Sequence, residues 1–187
     1  DPVLFECFRE TIDVILNKAL ARFDAGTGLY RPPESEEMWH FYEWTPGLSG
    51  VMGGDALRGG NHAGYNLHLH EAIRWSLWML EQAGEGKAVR SLERRRASLA
   101  KSIHAVFWDA EAGHYRSQVT KSGRRSGSHE LIQALVLHEG IGGVTSERRV
   151  MKSLLSGGLT PCTLSGLYYL VSPMVWHTVE TRKWINV

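Results

Sequence analysis

Two helical patterns of different kinds meet in the stretch SHELIQALVLHEGIGGVTSERRVMKSLL, Ser128 to Leu155. Ser128 to Glu139 is apolar on nearly every side, which is typical of a helix surrounded by protein. Ser146 to Leu155 has apolar residues at helical spacing with charged residues between them, which is typical of a half-exposed helix. The glycines within residues 140–143 supply the left-handed conformations that end a helix. The stretch therefore predicts a hairpin of one buried and one half-exposed helix.

The same alternation of helix types continues along the chain. Val3 to Phe23 and Lys87 to Phe107 predict amphipathic helices, whereas Asn66 to Ala83 and Thr163 to Val171 lack a continuous polar face. On local evidence a short apolar run such as Leu131 to Leu137 could also be a strand, but the alternation favours helix. It predicts an all-α fold of the α/α-toroid type, in which each hairpin contributes an outer and an inner helix. We expect residues 1–187 to form one partial domain of about three hairpins, half of a six-hairpin barrel.

Two of the outer-to-inner connections are far longer than the glycine-rich links. They run over about residues 24–65 and 109–127, and loops beyond roughly 12 to 15 residues are usually functional or disordered. Because the helices alternate in direction, we expect both long loops on one face, here called the long-loop face. A weak repeat marks where they begin, because FDAGTGLYR (Phe23 to Arg31) aligns with WDAEAGHYR (Trp108 to Arg116). We interpret the repeat as a structural helix stop with an aromatic anchor.

The composition is that of an ordinary globular domain, with 43% hydrophobic and 22% charged residues. A formal net charge of +1 gives no electrostatic reason to expect nucleic acid or an anionic membrane as a partner. Cys7 and Cys162 fit neither a disulfide framework nor a zinc site, and they favour a reduced compartment. The sequence shows neither an apolar run of membrane-spanning length nor the basic region of a signal peptide. We expect a cytoplasmic protein, with export left open, and no metal or organic cofactor.

The longest loop carries aromatic residues around one carboxylate in EMWHFYEWTPGLSG, Glu37 to Gly50. Aromatic faces stack on the C–H patches of sugar rings, and a carboxylate can accept paired hydroxyl hydrogen bonds or, when desolvated, serve as an acid. We predict that Glu43 contacts the substrate or takes part in catalysis. The predicted substrate-binding residues are Trp39, His40, Tyr42, Trp44, His62 and His129. The alternative is that the aromatic side chains only fold the loop back onto the barrel mouth and that Glu43 forms a structural salt bridge or is an exposed side chain.

A metal site is not expected at the neighbouring pair His68 and His70. Residues two apart on a helix point to different sides, so the two rings do not converge on one ion.

Four segments together resemble the catalytic domains of six-hairpin glycoside hydrolases, most closely the α-L-rhamnosidase-like family. From about Leu20 to Val175 they are FYEW, SLAKSIHAVFWDAEAGHY, SGSHELIQALVLHEGI and LTPCTLSGLYYLVSPMV. The resemblance implies hydrolysis of a terminal deoxysugar or related glycoside by two carboxylates, usually with inversion. It also implies that Glu43 stands where the family places an acidic residue beside a tryptophan that contacts the sugar.

The chain departs from the family pattern at the two principal catalytic positions. The family's general acid precedes the first helix found here, and its base follows the third hairpin, where Glu180 is only a weak counterpart. We therefore expect an incomplete catalytic domain. Half a toroid would expose Trp75, Trp78, Tyr168 and Tyr169, and we expect the remainder of the toroid or a second copy of the chain to cover them. The alternatives are a non-catalytic or degenerate carbohydrate-binding domain and a helical scaffold for protein interaction.

Overall fold

A computed structural model describes residues 2–33, 41–48 and 60–172. Its helices are α1 (Pro2–Leu20), α2 (Ala63–Gln82), α3 (Gly86–Phe107), α4 (Glu130–His138) and α5 (Val144–Leu155), followed by a 3-10 turn at Leu164–Gly166 and a helix over residues 167–172. The chain is mostly helical, and each helix lies within a few residues of its predicted position. We call α2, α4 and the helix that starts at the 3-10 turn the inner helices, and α1, α3 and α5 the outer helices.

The alternation of helix types is visible in the burial of the side chains. In α4, the seven residues from Leu131 to Leu137 are all buried. α3 and α5 each bury a single stripe, formed by Val89, Leu92, Leu99, Ile103 and Phe107 on α3 and by Ser146, Val150 and Leu154 on α5. A buried stripe opposite a charged face is the pattern of a helix with one side in water.

Two inner helices carry the exposed apolar flank that half a toroid is expected to present. On α2, Trp75 and Trp78 are each 50% exposed, as expected where half a toroid leaves the flank of an inner helix uncovered. In the last helix Tyr168 is 67% exposed, and Leu164 in the preceding turn is 83% exposed. This apolar flank is the surface that part of a toroid would present, while the number of hairpins stays a prediction.

Two small antiparallel sheets correct the all-α prediction. The strands are β1 (Asn61–His62), β2 (Trp108–Asp109), β3 (His114–Tyr115), β4 (Gln118–Val119) and β5 (Arg125–Ser126). One sheet has the order β1-β4-β5, and the other is the β2–β3 hairpin. Each strand has two residues, too few to show the alternation of apolar and polar side chains that identifies a strand in a sequence.

The sheet β1-β4-β5 joins the two long connections just ahead of α2 and α4. The backbone N–H of Ala63, the first residue of α2, donates to the Ser117 carbonyl at 2.9 Å. The starts of α2 and α4 therefore lie together on the long-loop face. Among the described helices, none combines the length and the apolar content needed to cross a membrane.

Candidate functional site

The two copies of the sequence repeat fold into the same turn at the ends of α1 and α3. Each copy pairs its first residue with its eighth and contains a glycine with positive φ, a conformation that favours glycine. The pairs are Phe23 with Tyr30 and Trp108 with Tyr115, and the glycines are Gly28 (φ 66°) and Gly113 (φ 75°). The prediction of a structural helix stop is confirmed.

The aspartate of each copy holds its turn together. Asp24 Oδ1 accepts the backbone N–H of Thr27 at 2.8 Å, and Asp109 Oδ1 accepts that of Ala112 at 3.0 Å. Asp109 Oδ2 also accepts a hydrogen bond from Nε of Arg116 at 2.9 Å. The backbone hydrogen bonds are the largest cause that holds the pKa of both carboxyls below their ordinary value. Both aspartates are therefore structural carboxylates.

A buried side-chain amide clamps the tyrosine at the end of each turn to the following inner helix. Asn66 Oδ1 accepts the backbone N–H of Tyr30 at 2.8 Å, and its Nδ2 donates to the Tyr30 carbonyl at 3.3 Å. Gln133 Oε1 accepts the backbone N–H of Tyr115 at 2.9 Å, and its Nε2 donates to the Tyr115 carbonyl at 2.8 Å. The repeat therefore extends from the turns into the inner helices.

The predicted ligand residues His62 and His129 occupy equivalent positions in this repeat. Each lies directly before an inner helix, and its carbonyl accepts a hydrogen bond from the clamping amide four residues later, Asn66 at 2.9 Å and Gln133 at 3.3 Å. The structure brings both histidines to the long-loop face.

The His129 side chain connects the loop that carries Glu43 to the start of α4. Its Nε2 donates to the Pro46 carbonyl at 2.8 Å, and its Nδ1 lies 2.6 Å from the Ser117 hydroxyl. Because a carbonyl can only accept, the proton is on Nε2, and Nδ1 accepts from Ser117 in the neutral ring. Burial lowers the pKa of His129, which favours this neutral form. Both ring nitrogens are thus used within the protein, and contact of His129 with a ligand stays a prediction.

Residues 41–48, here called the aromatic segment, lie against the starts of the inner helices. The Tyr42 ring packs so closely on Gly64 of α2 that a Cβ there would lie 2.6 Å from a ring carbon. The centroid of the Tyr42 ring lies 4.5 Å from that of Tyr65 and 6.3 Å from that of His62. Burial raises the pKa of Tyr42 well above its ordinary value. In the described residues Tyr42 therefore anchors the segment to α2.

Glu43 is only 2% exposed and points to the start of the last inner helix. Its Oε1 accepts the backbone N–H of Thr163 at 2.5 Å, the Thr163 hydroxyl at 2.7 Å and the Ser165 hydroxyl at 3.4 Å. Its Oε2 is buried and has no hydrogen-bond partner within the described part of the chain. One carboxylate oxygen therefore caps a helix, and the other keeps its capacity to accept hydrogen bonds.

Cys162 lies beside this carboxylate. Its backbone N–H donates to Oε2 of Glu130 at 3.1 Å, and a Cβ at Gly166 would lie 2.9 Å from both Glu43 Oε1 and Cys162 Cβ. Burial, together with the negative charges of Glu43 and Glu130, raises the pKa of the Cys162 thiol to about 11. The thiol is therefore protonated at neutral pH and is a poor nucleophile.

Trp44 provides the exposed aromatic surface of the site. It is 66% exposed, and its ring centroid lies 4.7 Å from that of Phe41. Trp44 follows Glu43 in the chain, so the exposed ring and the buried carboxylate belong to neighbouring residues of the aromatic segment. Trp39 and His40, also predicted to bind substrate, lie outside the described residues.

A second charged cluster surrounds Glu139 at the end of α4, where a cavity of about 530 Å³ is found. The Glu139 side chain is fully buried, with Oε2 2.7 Å from Nδ1 of His70 and 3.3 Å from Nη2 of Arg96, and with Oε1 2.9 Å from Nη2 of Arg74. Burial alone would raise the pKa of Glu139, but the hydrogen bonds from His70 and Arg74 and the charge of Arg74 outweigh it and lower the pKa to about 2. This cluster was not predicted from the sequence.

Three residues of this cluster, Glu71, His138 and Glu139, place potential metal-ligand atoms within 4.8 Å of one another. Arg74 lies among them, with Nη2 3.0 Å from Nε2 of His138 and 2.9 Å from Oε1 of Glu139. Its guanidinium already supplies the positive charge and would repel a divalent cation. The arrangement therefore fits an ion-pair network better than a metal centre.

The rings of His68 and His70 have different partners, as their spacing predicts. Nδ1 of His68 lies 3.6 Å from Glu71, whereas Nδ1 of His70 lies 2.7 Å from Glu139. The two rings do not share a ligand position.

Comparisons with known proteins give structural relatives only, since no family model and no curated protein matches the sequence. A GH78 family rhamnosidase of Bacillus sp. GL1 superposes with a TM-score of 0.79 and 21% identity, over 97% of this chain and 18% of that chain. A rhamnosidase from Klebsiella oxytoca with rhamnose bound superposes with a TM-score of 0.69 and 17% identity, over 99% of this chain and 32% of that chain. This chain thus spans less than a third of either relative. At these identities the likeness establishes the fold: the chain is folded like part of a rhamnosidase.

Proposed function

We propose that this chain is part of the catalytic domain of a rhamnosidase-like glycoside hydrolase and that its long-loop face binds the sugar. The observation that carries the proposal is the buried, unpartnered Oε2 of Glu43, next in the chain to the exposed ring of Trp44. Both structural relatives named above are rhamnosidases, and one of them has rhamnose bound. The proposed substrate is a terminal deoxysugar or related glycoside.

The chemistry at Glu43 suits contact with a sugar better than proton transfer. Three donors from Thr163 and Ser165 fix Oε1, so the carboxylate is held in one orientation. Oε2 can then accept hydroxyl hydrogen bonds while the C–H face of the sugar stacks on Trp44. Hydrolysis with inversion needs a general acid and a general base on opposite sides of the bond. We assign those two roles to other parts of the full-length enzyme and substrate orientation to Glu43.

A non-catalytic domain is the second candidate, and the hydrogen bonds of Oε1 favour it. A carboxylate that caps the start of a helix needs no substrate to explain it. In this alternative the chain is a degenerate or purely carbohydrate-binding domain, or a helical scaffold for protein interaction.

Calorimetric titration with a panel of monosaccharides, rhamnose first, tests the proposal. We expect Trp44→Ala to weaken binding roughly tenfold, since an aromatic stacking contact contributes about 0.5–1.5 kcal/mol beyond its buried area. Trp75→Ala is the matched control, because Trp75 is also half-exposed but lies 12 residues into α2, about 18 Å from its start. Absence of binding to every sugar, or equal losses in both variants, would refute sugar binding at this site.

Glu43→Gln separates the two candidates. Gln keeps the shape of the side chain and an oxygen that can accept from Thr163, but it removes the negative charge. Measured in the complete catalytic domain, the substitution should lower the turnover rate if the protein is an enzyme. It should lower only the affinity for sugar if the protein is a binding domain, and it should change neither if the protein is a scaffold.

A further inference from the structure

A cavity of about 400 Å³ opens beside the sheet β1-β4-β5 and has no part in the site described above. Asn61 of β1 lines it. Neighbouring residues of a strand face opposite sides, so Asn61 points away from the aromatic segment that its neighbour His62 contacts. The cavity and the proposed sugar site therefore lie on opposite sides of one short strand.

The cavity is strongly basic. Arg31, Lys121 and Arg125 line it together with the hydroxyl residues Thr27 and Thr120, and none of the described residues that line it is Asp or Glu. One counterion is near, because Oδ2 of Asp24 lies 3.5 Å from Nη2 of Arg31. Within the described part of the chain, three cations with one nearby carboxylate leave a net positive charge at the cavity.

Two buried polar groups at this cavity have no partner in the described residues. Asn61 is only 8% exposed, and its Oδ1 is buried without a hydrogen bond. The Nε of Arg31 is likewise buried without an acceptor. A buried donor or acceptor left unpaired is costly, so both groups favour a polar ligand that can pair with them. The amide of Asn61 can accept from a hydroxyl or, after a half-turn about its last bond, donate to an anion.

A tight hairpin holds two of the cations at the rim. The backbone N–H of Thr120 donates to the Arg124 carbonyl at 2.9 Å, and the N–H of Gly123, with φ 81°, donates to the Thr120 carbonyl at 2.9 Å. Lys121 lies in this turn and Arg125 at the start of β5, so short-range backbone hydrogen bonds fix the positions from which both side chains reach the cavity.

We propose that this cavity binds an oxyanion, such as a carboxylate or sulfate group, through Arg31, Lys121, Arg125 and the Asn61 amide. Arginine and lysine are the side chains that bind such groups by charge-assisted hydrogen bonds. The oxyanion is then the acidic substituent of a glycan that reaches from the proposed sugar site past β1, and this extension rests on the proposed function. Binding of a simple anion does not depend on it.

Titration of the chain with sodium sulfate at low ionic strength, followed by amide chemical shifts, tests the site. We expect Lys121→Gln and Arg125→Gln each to weaken sulfate binding roughly threefold, as the loss of one exposed charge interaction predicts. Asn61→Asp, which keeps the size of the side chain and adds a negative charge, should abolish binding. Lys152→Gln on the exposed face of α5 is the control and should bind sulfate like the wild type.

A second titration compares galacturonate with galactose and identifies the source of the oxyanion. Tighter binding of galacturonate, lost in Asn61→Asp, supports an acidic glycan, whereas sulfate binding without that preference supports a free anion. Sulfate that does not bind, or that binds the three cavity variants as it binds the wild type, overturns the proposal. If sulfate binds but no neutral sugar does, the anion site stands and the proposed function is refuted. If a neutral sugar binds but sulfate does not, the proposed function stands and the anion site is refuted.

Discussion

The ion-pair network around Glu139 makes a quantitative prediction about acid stability. Its pKa falls from the ordinary 4.5 to about 2 in the folded protein, and its side chain is fully buried. Because one pKa unit corresponds to about 1.4 kcal/mol, ionised Glu139 contributes about 3 kcal/mol to the free energy of unfolding at neutral pH. Since its folded-state pKa lies below its unfolded value, this contribution is present above about pH 5 and is lost as the pH falls towards 2.

Glu139→Gln removes the titrating group and leaves His70, Arg74 and Arg96 without their carboxylate. We expect the variant to be less stable by about 3 kcal/mol at pH 7, because a buried charge that loses its partner is costly. The difference from the wild type should shrink steadily between pH 5 and pH 2. Urea unfolding followed by circular dichroism at several pH values measures it, with Glu81→Gln, an exposed carboxylate beside the same cavity, as the control. A difference that is independent of pH, or a variant as stable as the wild type, would refute the reasoning.

Three further predictions concern the repeat turns and the link between α4 and α5, and urea unfolding measures each of them. Gln133→Leu should cost about 2–4 kcal/mol, because it leaves the backbone N–H and carbonyl of Tyr115 unpaired in the core; a loss below 1 kcal/mol would contradict the clamp. Gly142→Ala should cost at least about 3 kcal/mol, because Gly142 has a φ of 95° and the added methyl group would overlap the Tyr115 hydroxyl. Gly140→Ala is the control: its φ of 64° is also positive, but the methyl group meets open space, so the cost should be only about 1 kcal/mol. Asp109→Asn should be less stable than the wild type at pH 7. The stability difference should shrink below about pH 4, as the pH falls through the lowered pKa of the wild-type carboxyl and that group loses its charge. Equal acid sensitivity in the two proteins would show that Asp109 does not stabilise the turn through its charge.

The helices could be predicted because the spacing of their apolar residues indicates how much of each helix surface is buried against other parts of the protein. Leu131 to Leu137 form an unbroken buried run in α4, and Val150 and Leu154 recur at the interval of one turn in α5. Trp75 and Trp78 show the limit of that argument. Their apolar character predicts that protein covers them, and half a toroid is expected to expose them, but what covers them depends on the chain that packs against α2 and not on α2 itself. The strand β1 is set by pairing with the distant β4, whereas β2–β3 and β4–β5 are local hairpins, and strands of two residues leave no periodic pattern in either case.

The candidate site could be predicted only in part. The aromatic segment and Glu43 are conspicuous in the sequence, yet the hydrogen bonds from Thr163 to Glu43 join residues 120 positions apart. No local pattern encodes such a contact. The amide clamps could have been found, because Asn66 and Gln133 each follow a histidine by four residues after a copy of the repeat.

Because the two amide clamps fix the ends of each long connection, the positions of the inner helices do not depend on how long that connection is. Between Tyr30 and His62 the chain has 31 residues (31–61), and between Tyr115 and His129 it has 13 (116–128), yet the ends of both connections are fixed by the same hydrogen bonds. Residues can therefore be inserted or deleted between two fixed points without moving the inner helices. This arrangement gives the fold an evolvable face, on which ligand preference can change by exchange of loops while the helical framework and its stability are retained.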